Sequence, residues 1–584
     1  FANNISNENE IYHKKINIQS LLISICERFI LNDIKKRLKS LFPHTIIFTF
    51  LLVQLNYINK AGTTYDADGL RFGANIVIKK IERIISFNTN FSDLPFSDVE
   101  FYGMLVILPA YIFSHFFKRF INNPSDYGFE NIDGIVYFLM NMYLIIYVVI
   151  CLFFIIKKLN TISKNFTISF LLILLLTPSF SGHSLFNLKD IPFALQLFLF
   201  ALVFNEYIEN IIKNKTYNLN LKLGLLTGLV LSVRLNAIFF ISLIFFIGIV
   251  ILHKKEKLTF NKVSKDFIKI LLIGFLVLYI FTPSAWLDPI QWVNNAIYQQ
   301  FFLEWSGSTL TNGQFIVATE MKWNYLLTWF FYKLPLIFHL SILIYLYLKF
   351  KGVSMTLLSD VSVYFLIMVF LIFSLVRPSV YDGIRQFLFL IPFFATFSAE
   401  TFLKFLDYKK IPNSFLFIPI LLYLFFTQFG LGPYRYVYFN EFVDVKKISI
   451  ECNNLDGCGT WPTDYWGFSG REVAEYLNKN LLEGEIPNKS EFAWRDNSTS
   501  LLICRPSMTA QTYMNKNLNY NKLNIGDFSR SEIITLTYHR PRYDDDSCRF
   551  LINEVDYLCK TISTFNTKMR FQDVVLAHVK ECKI

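Results

Sequence analysis

The chain has 584 residues, of which 53% are hydrophobic and 18% aromatic, and only 17% are charged, against about 25% in soluble domains. Apolar segments of about 20 residues recur between residues 40 and 430, and each is long enough to cross the roughly 30 Å hydrocarbon core of a bilayer. This composition excludes an ordinary soluble protein. The net charge of +11 indicates membrane topology rather than nucleic-acid binding, because much of the basic excess flanks apolar segments.

The N-terminal segment, residues 1–38, has the pattern of a basic amphipathic helix and not that of a cleavable signal peptide. Basic residues 35–39 directly precede the first predicted span, residues 40–58, so the positive-inside rule places the N-terminus in the cytoplasm. We therefore expect three regions: a cytoplasmic helix (1–38), a membrane module (39–430) and an extracytoplasmic domain (431–584).

The first outer loop, residues 59–134, contains two carboxylates in "YDADGLRFG". Asp66 and Asp68 stand at the start of a predicted helix, where the positive end of the helix dipole favours negative charge. An ordinary helix cap explains these residues equally well. The alternation of isoleucine with lysine and arginine further along predicts that this helix lies along the membrane interface. Segment 101–120 is predicted to be re-entrant or interfacial.

Basic clusters mark the other cytoplasmic loops and define the remaining spans. Residues 221–252 have basic flanks at both ends, which predicts a hairpin of two helices whose turn, "SVRLNA", carries Arg234 to the outer half of the membrane. The other predicted spans lie near residues 135–156, 166–182, 191–209, 266–284, 323–348, 357–376, 385–403 and 412–430.

Polar residues crowd the start of the span at 191–209. His183, Asn187, Lys189 and Asp190 fall within eight residues and offer donors for a phosphate and an acceptor for a hydroxyl. Such a cluster at the mouth of an apolar run is typical of a site at the water boundary.

Two arginines, Arg234 and Arg385, are costly near the membrane unless they face a polar cavity or pair with an anion. Together with Lys189 they suit a phosphate or diphosphate at the membrane surface. Internal salt bridges with Asp190, Asp288 or Asp382 are the alternative. In the predicted topology all these clusters reach the outer side, whereas a transporter is expected to place polar groups at the midplane and on both sides.

The C-terminal region after residue 430 contains six of the eight cysteines. Such a cluster predicts disulfides and an oxidising compartment, with Cys452 and Cys458 as the favoured pair. The periodicity of residues 470–482 predicts a helix, and "SLLICRP", "EIITLTYH" and "DVVLAHV" predict strands. A small disulfide-containing α/β domain over the outer cavity is therefore expected. In it, "YDDDSC" (543–548) is predicted to be an exposed acidic loop, with a cation site as the alternative.

Seven ordered elements resemble the motifs of the membrane glycosyltransferases of the C-type fold, nearest to the bacterial-type branch of family 39. That family includes the dolichyl-phosphate-mannose–protein mannosyltransferases and bacterial relatives that use polyprenyl-linked sugars. The elements are "YDADGLRFG" (65–73), "NLKDIPFA" (187–194), "GLLTGLVLSVR" (224–234), "KWNYLLTWFFYKLP" (322–335), "YDGIRQFLFLIP" (381–392), "PYRYVYFN" (433–440) and "DYWG" (464–467).

The resemblance implies a fold and a reaction. The fold is a polytopic α-helical membrane protein with about 11–13 membrane helices and a small C-terminal α/β extracytoplasmic domain. The reaction is an inverting transfer of a sugar from a polyprenyl phosphate to an acceptor hydroxyl on a glycan, lipid or protein. It implies no required cofactor, although a divalent cation is compatible with it. The expected location is the bacterial inner membrane, with the site facing the periplasm, or the endoplasmic reticulum membrane, with the site facing the lumen.

The resemblance also implies roles for individual residues. Asp66 is the general base, with Asp68 as the second choice. The donor phosphate is assigned to Lys189, Arg234 and Arg385. Orienting or acceptor-binding roles fall to the remaining polar residues of the motifs, His183, Asn187, Asp190 and Asp382.

Three positions depart from the family pattern. Asp66-Ala67-Asp68 replaces the usual Asp-Glu pair, Leu188 replaces a proline, and Gln386 replaces a histidine. The first departure leaves the base open between the two aspartates. Together they admit a second class of function, a catalytically silent subunit of a larger membrane assembly; a transporter ranks third.

Overall fold

The computed structural model describes residues 41–87, 94–95, 97–127, 129, 132–215, 219–302, 307–412, 414–450, 459–482, 499–504, 506–515, 520–522, 532–539 and 558–583. The predicted N-terminal helix (1–38), the Cys452–Cys458 pair and the acidic loop at 543–548 lie outside these residues. The expected disulfides stay a prediction.

The membrane module consists of helices, numbered in chain order. They are α1 (Leu41–Ile58), α2 (Tyr65–Ile85), α3 (Ile107–Phe117), α4 (Ile132–Leu159), α5 (Lys164–Leu175), α6 (Pro178–His183), α7 (Asp190–Ile212), α8 (Asn220–Leu231), α9 (Ala237–Lys254), α10 (Phe260–Ile280), α11 (Pro289–Ile297), α12 (Tyr325–Lys333), α13 (Leu336–Phe350), α14 (Leu357–Val376), α15 (Ile391–Lys409) and α16 (Ser414–Gln428).

Within the described ranges, six helices are long and apolar enough to cross a membrane: α1, α4, α7, α9, α14, and α15 with the 3-10 turn Arg385–Leu390 that precedes it. The pair α12–α13 is bent by 107° and is long and apolar enough to be a broken span or a re-entrant loop. Pro335 lies at this bend, where its missing N–H and fixed φ favour a break. The prediction of a polytopic helical membrane protein is confirmed.

Other predicted spans are built from shorter pieces. The span predicted at 166–182 is α5 followed by the separate turn α6, which Pro178 opens at the first helical position. Segment 101–120 contains α3, whose 11 residues extend about 17 Å and are too short to cross a bilayer. The predicted hairpin at 221–252 is α8 and α9 joined by a turn that carries Arg234.

Helix α7 lies at the centre of the module. Of the most apolar 18-residue stretch of α7, 94% is buried within the protein. The corresponding share for α1 is 28%, so α1 lies at the periphery. The first residues of α7 therefore lie inside the molecule, where Asp190 is only 2% exposed. This placement makes the polar cluster before α7 a buried feature and not a surface one.

Small residues bring α8 and α10 together. Gly224 and Gly228 of α8 are four residues apart, and a Cβ on Gly228 would come within 2.3 Å of Val277. Close packing of this kind is a main source of helix association in membranes. It fixes the end of α8 and so the turn that carries Arg234.

The C-terminal domain contains α17 (Val445–Ile448), α18 (Gly470–Leu482), α19 (Met508–Gln511) and a mixed five-stranded sheet. A separate hairpin, β1 (Ser308–Thr311) and β2 (Gln314–Val317), precedes α12. The strands of the sheet are β3 (Thr499–Ile503), β4 (Tyr520–Lys522), β5 (Glu532–Tyr538), β6 (Leu558–Met569) and β7 (Gln572–Lys583), in the order β4-β3-β5-β7-β6.

The sheet confirms the predicted small C-terminal domain and adds strands that the sequence analysis did not predict. Strand β3 is parallel to β4 and β5, whereas β7 is antiparallel to β5 and β6. The long hairpin β6–β7 reaches back to the end of the membrane module, where the backbone N–H of Lys568 donates to the carbonyl of Gly430 at 3.2 Å. The domain is thus packed directly against the module.

Candidate active site

The carboxylate of Asp66 connects two cations from distant parts of the chain. Asp66 lies in the first turn of α2, and its Oδ2 accepts hydrogen bonds from Lys189 Nζ at 3.1 Å and from Arg385 Nη1 at 2.9 Å. The Arg385 side chain is 3% exposed and that of Asp66 is 23% exposed. The three groups therefore form a partly buried charged cluster that solvent reaches from the carboxylate side.

Lys189 stays charged in this environment. Burial acts to lower the pKa of Lys189, but the Asp66 carboxylate raises it, and the net pKa lies above the ordinary lysine value. The ammonium also lies 5.2 Å from the ring centroid of Tyr102, a geometry favourable for a cation–π contact.

A second ion pair joins Asp190 to Arg234. Arg234 Nη2 donates to Asp190 Oδ1, and Asn187 Nδ2 donates to Asp190 Oδ2 at 2.8 Å. The Asn187 side-chain oxygen accepts from the backbone N–H of Asp190 at 2.9 Å. Asn187 thus fixes the start of α7, while Asp190 holds Arg234, which matches one of the salt bridges considered above.

The turn before Arg385 has an unusual backbone. Asp382 and Gly383 both have positive φ, 58° and 70°, and a Cβ on Gly383 would lie 2.7 Å from the ring of Trp329. The backbone N–H of Asp382 donates to Thr309 Oγ1 at 3.2 Å, and that of Gly383 donates to Tyr325 Oη at 3.1 Å. This tight turn brings Asp382 within 3.7 Å of Arg385.

The "DYWG" element closes the cluster from the side of the C-terminal domain. The ring centroid of Trp466 lies 4.5 Å from the Arg385 guanidinium, and the Trp466 carbonyl accepts from the backbone N–H of Tyr65 at 3.1 Å. Asp464 organises this turn: it accepts from Tyr436 Oη at 2.6 Å and from the backbone N–H of Ser469 at 2.9 Å. Burial raises the pKa of Asp464 above its usual range, although these hydrogen bonds act to lower it.

His183 lies behind the cluster and is fully enclosed. One ring nitrogen lies 3.3 Å from Asn187 Nδ2 and the other 3.4 Å from Tyr465 Oη. Burial lowers the pKa of His183 to about 3, against the opposing effect of Asp190. His183 is therefore neutral, with its ring in contact with Asn187 and Tyr465.

Asp68 belongs to a separate cluster. Its Oδ1 accepts from Tyr137 Oη at 2.8 Å and from Arg71 Nη2 at 3.4 Å, and Arg71 Nη1 also donates to Asp133 at 2.8 Å. Lys189 and Arg385 contact Asp66 and not Asp68 among the contacts of the described residues. The two aspartates thus have different partners in the structure.

The structure brings together most of the residues singled out in the sequence, and it adds supporting ones. Thr309, Trp329 and Trp466 contact the Arg385 turn. Trp329 and Trp466 belong to the "KWNYLLTW" and "DYWG" motifs, whereas Thr309 belongs to no motif singled out in the sequence. Asp288, considered as a salt-bridge partner, instead caps α11 by accepting from the backbone N–H of Gln291 at 2.8 Å. Within the described residues, no group of three or more His, Cys, Asp or Glu side chains is arranged to hold a metal ion.

Comparisons with known proteins agree with the resemblance found in the motifs. A family model described as dolichyl-phosphate-mannose-protein mannosyltransferase matches residues 104–299, which include His183, Lys189, Asp190 and Arg234. No curated protein sequence matches the chain.

Comparison with solved structures matches the chain, at low sequence identity, with ArnT and with an oligosaccharyltransferase. ArnT from Cupriavidus metallidurans, solved with undecaprenyl phosphate and in the apo state, gives a TM-score of 0.46 at 9% identity, over 92% of this chain and 97% of ArnT. The Archaeoglobus fulgidus oligosaccharyltransferase gives a TM-score of 0.39 at 10% identity, over 84% of this chain and 67% of that protein.

The match of the family model supports a membrane glycosyltransferase in general terms. It covers the segment that positions Lys189, Asp190 and Arg234, and leaves out the parts that carry Asp66 and Arg385. This integral membrane protein thus resembles, over residues 104–299, the dolichyl-phosphate-mannose-protein mannosyltransferases.

Proposed function

We propose that the protein transfers a sugar from a polyprenyl-phosphate donor to an acceptor hydroxyl on the outer or lumenal face of the membrane, with inversion at the anomeric carbon. The observation that carries this proposal is the contact of the Asp66 carboxylate with both Lys189 and Arg385. A base and two cations at one point are the groups that this reaction requires.

The cations would bind the donor phosphate. Lys189 and Arg385 are paired with Asp66 here, and an entering phosphate, with its greater charge, would compete for their N–H donors. That exchange would free the Asp66 carboxylate next to the anomeric carbon. Arg234 is paired with Asp190, the residue after Lys189, and its charge also acts on Lys189.

The reaction is a single displacement. The acceptor oxygen forms a bond to the anomeric carbon while the bond between that carbon and the phosphate oxygen breaks, and the electron pair leaves with polyprenyl phosphate. The acceptor proton moves to the Asp66 carboxylate. Lys189 and Arg385 stabilise the negative charge that grows on the departing phosphate.

An apolar groove beside the Arg385 turn supports a lipid-linked donor. The groove has a volume of about 660 Å³ and is lined by side chains of α12–α15, among them Leu327, Phe330, Phe338, Leu366, Phe370 and Phe394. Helix α12 connects it to the cluster, since Trp329 contacts Gly383 while its neighbour Phe330 lines the groove. An isoprenoid tail in this groove would leave its phosphate near Arg385.

The test uses the purified protein in lipid nanodiscs with labelled dolichyl-phosphate-mannose or an undecaprenyl-phosphate sugar, together with a membrane extract that supplies acceptor hydroxyls, and measures the release of polyprenyl phosphate. Asp66→Asn should lower kcat by about 10²–10⁴-fold, the usual contribution of a general base. Asp68→Asn is the matched control: it removes a carboxylate from the same helical turn, and the rate should change by less than about fivefold.

Two results would contradict the proposal. A larger loss in Asp68→Asn than in Asp66→Asn would reassign the base. Donor turnover that is absent in the wild type, with undecaprenyl phosphate still bound, would favour the silent-subunit alternative.

A further inference from the structure

A polar cleft of about 360 Å³ lies between the membrane module and the C-terminal domain and shares no lining residue with the Asp66 cluster. Four segments form its walls, two from each side. They are Asn59–Lys60 after α1, Gly430–Tyr434 after α16, Arg471, Glu472 and Glu475 of α18, and Asn566–Lys568 of β6.

The cleft contains charges of both signs. Lys60 and Lys568 are exposed lysines, and within the described part of the chain neither of them forms a salt bridge. Glu472 accepts a hydrogen bond from Tyr434 Oη at 2.8 Å. Glu475 accepts from Arg471 Nε at 2.9 Å, yet 57% of its side chain is exposed. Cations and carboxylates thus share one space that a ligand can enter.

The cleft lies at the membrane boundary. Asn59 directly follows the end of α1, and Gly430 follows the end of α16 by two residues. Arg435, after α16, donates to Gln54 of α1 at 2.7 Å, so the two helix ends lie side by side. A molecule in the cleft would have both aqueous contacts and access to the apolar flanks of the two helices.

The tip of the β6–β7 hairpin forms the domain side of this boundary. Its two-residue turn is Arg570–Phe571, with φ of 51° and 65°, where hairpins of this type favour Asn-Gly. Phe571 is 72% exposed and lies 5.9 Å from the ring of Phe429, itself 52% exposed. An exposed aromatic pair at a helix end is suited to the lipid interface.

We propose that this cleft binds the headgroup of a membrane phospholipid that carries both a phosphate and a primary ammonium group. Lys60 and Lys568 would contact the phosphate, and Glu472 and Glu475 would accept hydrogen bonds from the ammonium. The volume corresponds to about twelve water molecules, which is enough for such a headgroup. The acyl chains would lie along α1 and α16.

The charge pattern discriminates among lipids. A purely anionic headgroup brings no ammonium N–H to Glu472, whose hydrogen bond comes from the neutral Tyr434 hydroxyl, or to Glu475, whose cation is Arg471. A quaternary ammonium has no N–H to donate to Glu472 or Glu475. Phosphatidylethanolamine meets both requirements, and its binding would fix the C-terminal domain to the membrane module. This proposal does not depend on the glycosyl-transfer reaction.

The test is native mass spectrometry of the detergent-purified full-length protein with dioleoyl phosphatidylethanolamine, phosphatidylcholine or phosphatidylglycerol. The wild type should retain phosphatidylethanolamine about fivefold to tenfold more tightly than either other lipid. The double variant Glu472→Gln/Glu475→Gln should lose the preference over phosphatidylcholine. Lys60→Gln/Lys568→Gln should weaken all three lipids.

The matched controls are Lys446→Gln and Glu320→Gln, exposed residues outside the cleft, which should bind lipids as the wild type does. Thermal melting checks that each variant is folded. Equal binding of the three lipids by the wild type, or unchanged binding in folded cleft variants, would overturn the proposal. Equally tight binding of soluble glycerophosphoethanolamine would overturn a bilayer lipid as the occupant.

Discussion

The Arg385 guanidinium lies 4.5 Å from the ring centroid of Trp466, so a residue of the C-terminal domain contacts a cation at the head of a membrane helix. The carbonyl of the same tryptophan accepts a hydrogen bond from the backbone N–H of Tyr65, the residue before Asp66. Trp466 therefore fixes both partners of the Asp66–Arg385 pair. The domain is part of the candidate site and not an appendage to it.

Replacing Trp466 should weaken phosphate binding without unfolding the protein. The cation–π contact of a desolvated arginine contributes about 1–2 kcal/mol, so Trp466→Leu should raise the Kd for undecaprenyl phosphate about fivefold to thirtyfold. Thermal-shift titration of the purified protein measures this Kd. Trp466→Phe, which keeps an aromatic face, is the control and should lie closer to the wild type. Equal affinities for the leucine and wild-type proteins would show that Trp466 does not support Arg385.

The Asp190–Arg234 pair should show strong coupling in a double-mutant cycle. Asp190→Asn leaves Arg234, whose side chain is 14% exposed, without its carboxylate, and breaking a buried pair typically costs about 3–5 kcal/mol. Arg234→Gln should be similarly destabilising, while the double variant should cost less than the sum of the two. Chemical denaturation in detergent gives the three free energies of unfolding. Strict additivity would mean that the two side chains do not interact.

The sequence was sufficient to predict the membrane module and the identity of the clustered residues. Apolar length and basic flanks define the spans, and the motifs place Asp66, Lys189 and Arg385 as candidates. Their contacts follow from the fold, because Asp66 and Arg385 are 319 positions apart in the chain. No local pattern specifies such a pairing, which was suggested by the shared side of the membrane and by the family resemblance.

Other features were beyond sequence reasoning for physical reasons. The segment predicted as one span at 166–182 is divided in the structure into α5 and α6, because Pro178 begins a new helical turn after α5 ends. The β1–β2 hairpin was missed because its four-residue strands are too short to give a clear alternation, yet Thr309 in it supports Asp382. Asp66 and Asp68 could not be distinguished in the sequence because both lie in one helical turn, and only the fold gives them different partners.

His183 should make the protein less stable in acid. Its folded pKa of about 3 lies below the unfolded value of about 6.5, so the unfolded state binds a proton first as the pH falls. The contribution of His183 is therefore intact above pH ~6.5 and decreases by about 1.4 kcal/mol per pH unit below it, reaching about 2–3 kcal/mol at pH ~4.5. Denaturation of the wild type and His183→Gln at several pH values measures this slope. The glutamine variant should have a flatter profile, and parallel profiles would assign the acid sensitivity to other groups.

Gly103 packs so closely against the turn that carries Arg234 that even a substitution by alanine should displace this turn. Its N–H donates to Val233 O at 3.1 Å, and a Cβ there would lie 1.8 Å from the backbone oxygen of Ser232. Gly103→Ala must therefore displace the turn that carries Arg234, and we expect a loss of stability of at least about 1–3 kcal/mol together with weaker binding of undecaprenyl phosphate.

Gly69→Ala is the matched control. Gly69 lies in the interior of α2, and the atom nearest to a Cβ added there is a methyl carbon of Val99 at 3.8 Å. That change should stabilise the protein by about 0.5–1 kcal/mol, since alanine is the better helix former. Melting curves of the two variants side by side decide the matter: if Gly103→Ala melts with the wild type, the contact between residues 103 and 232 does not position Arg234.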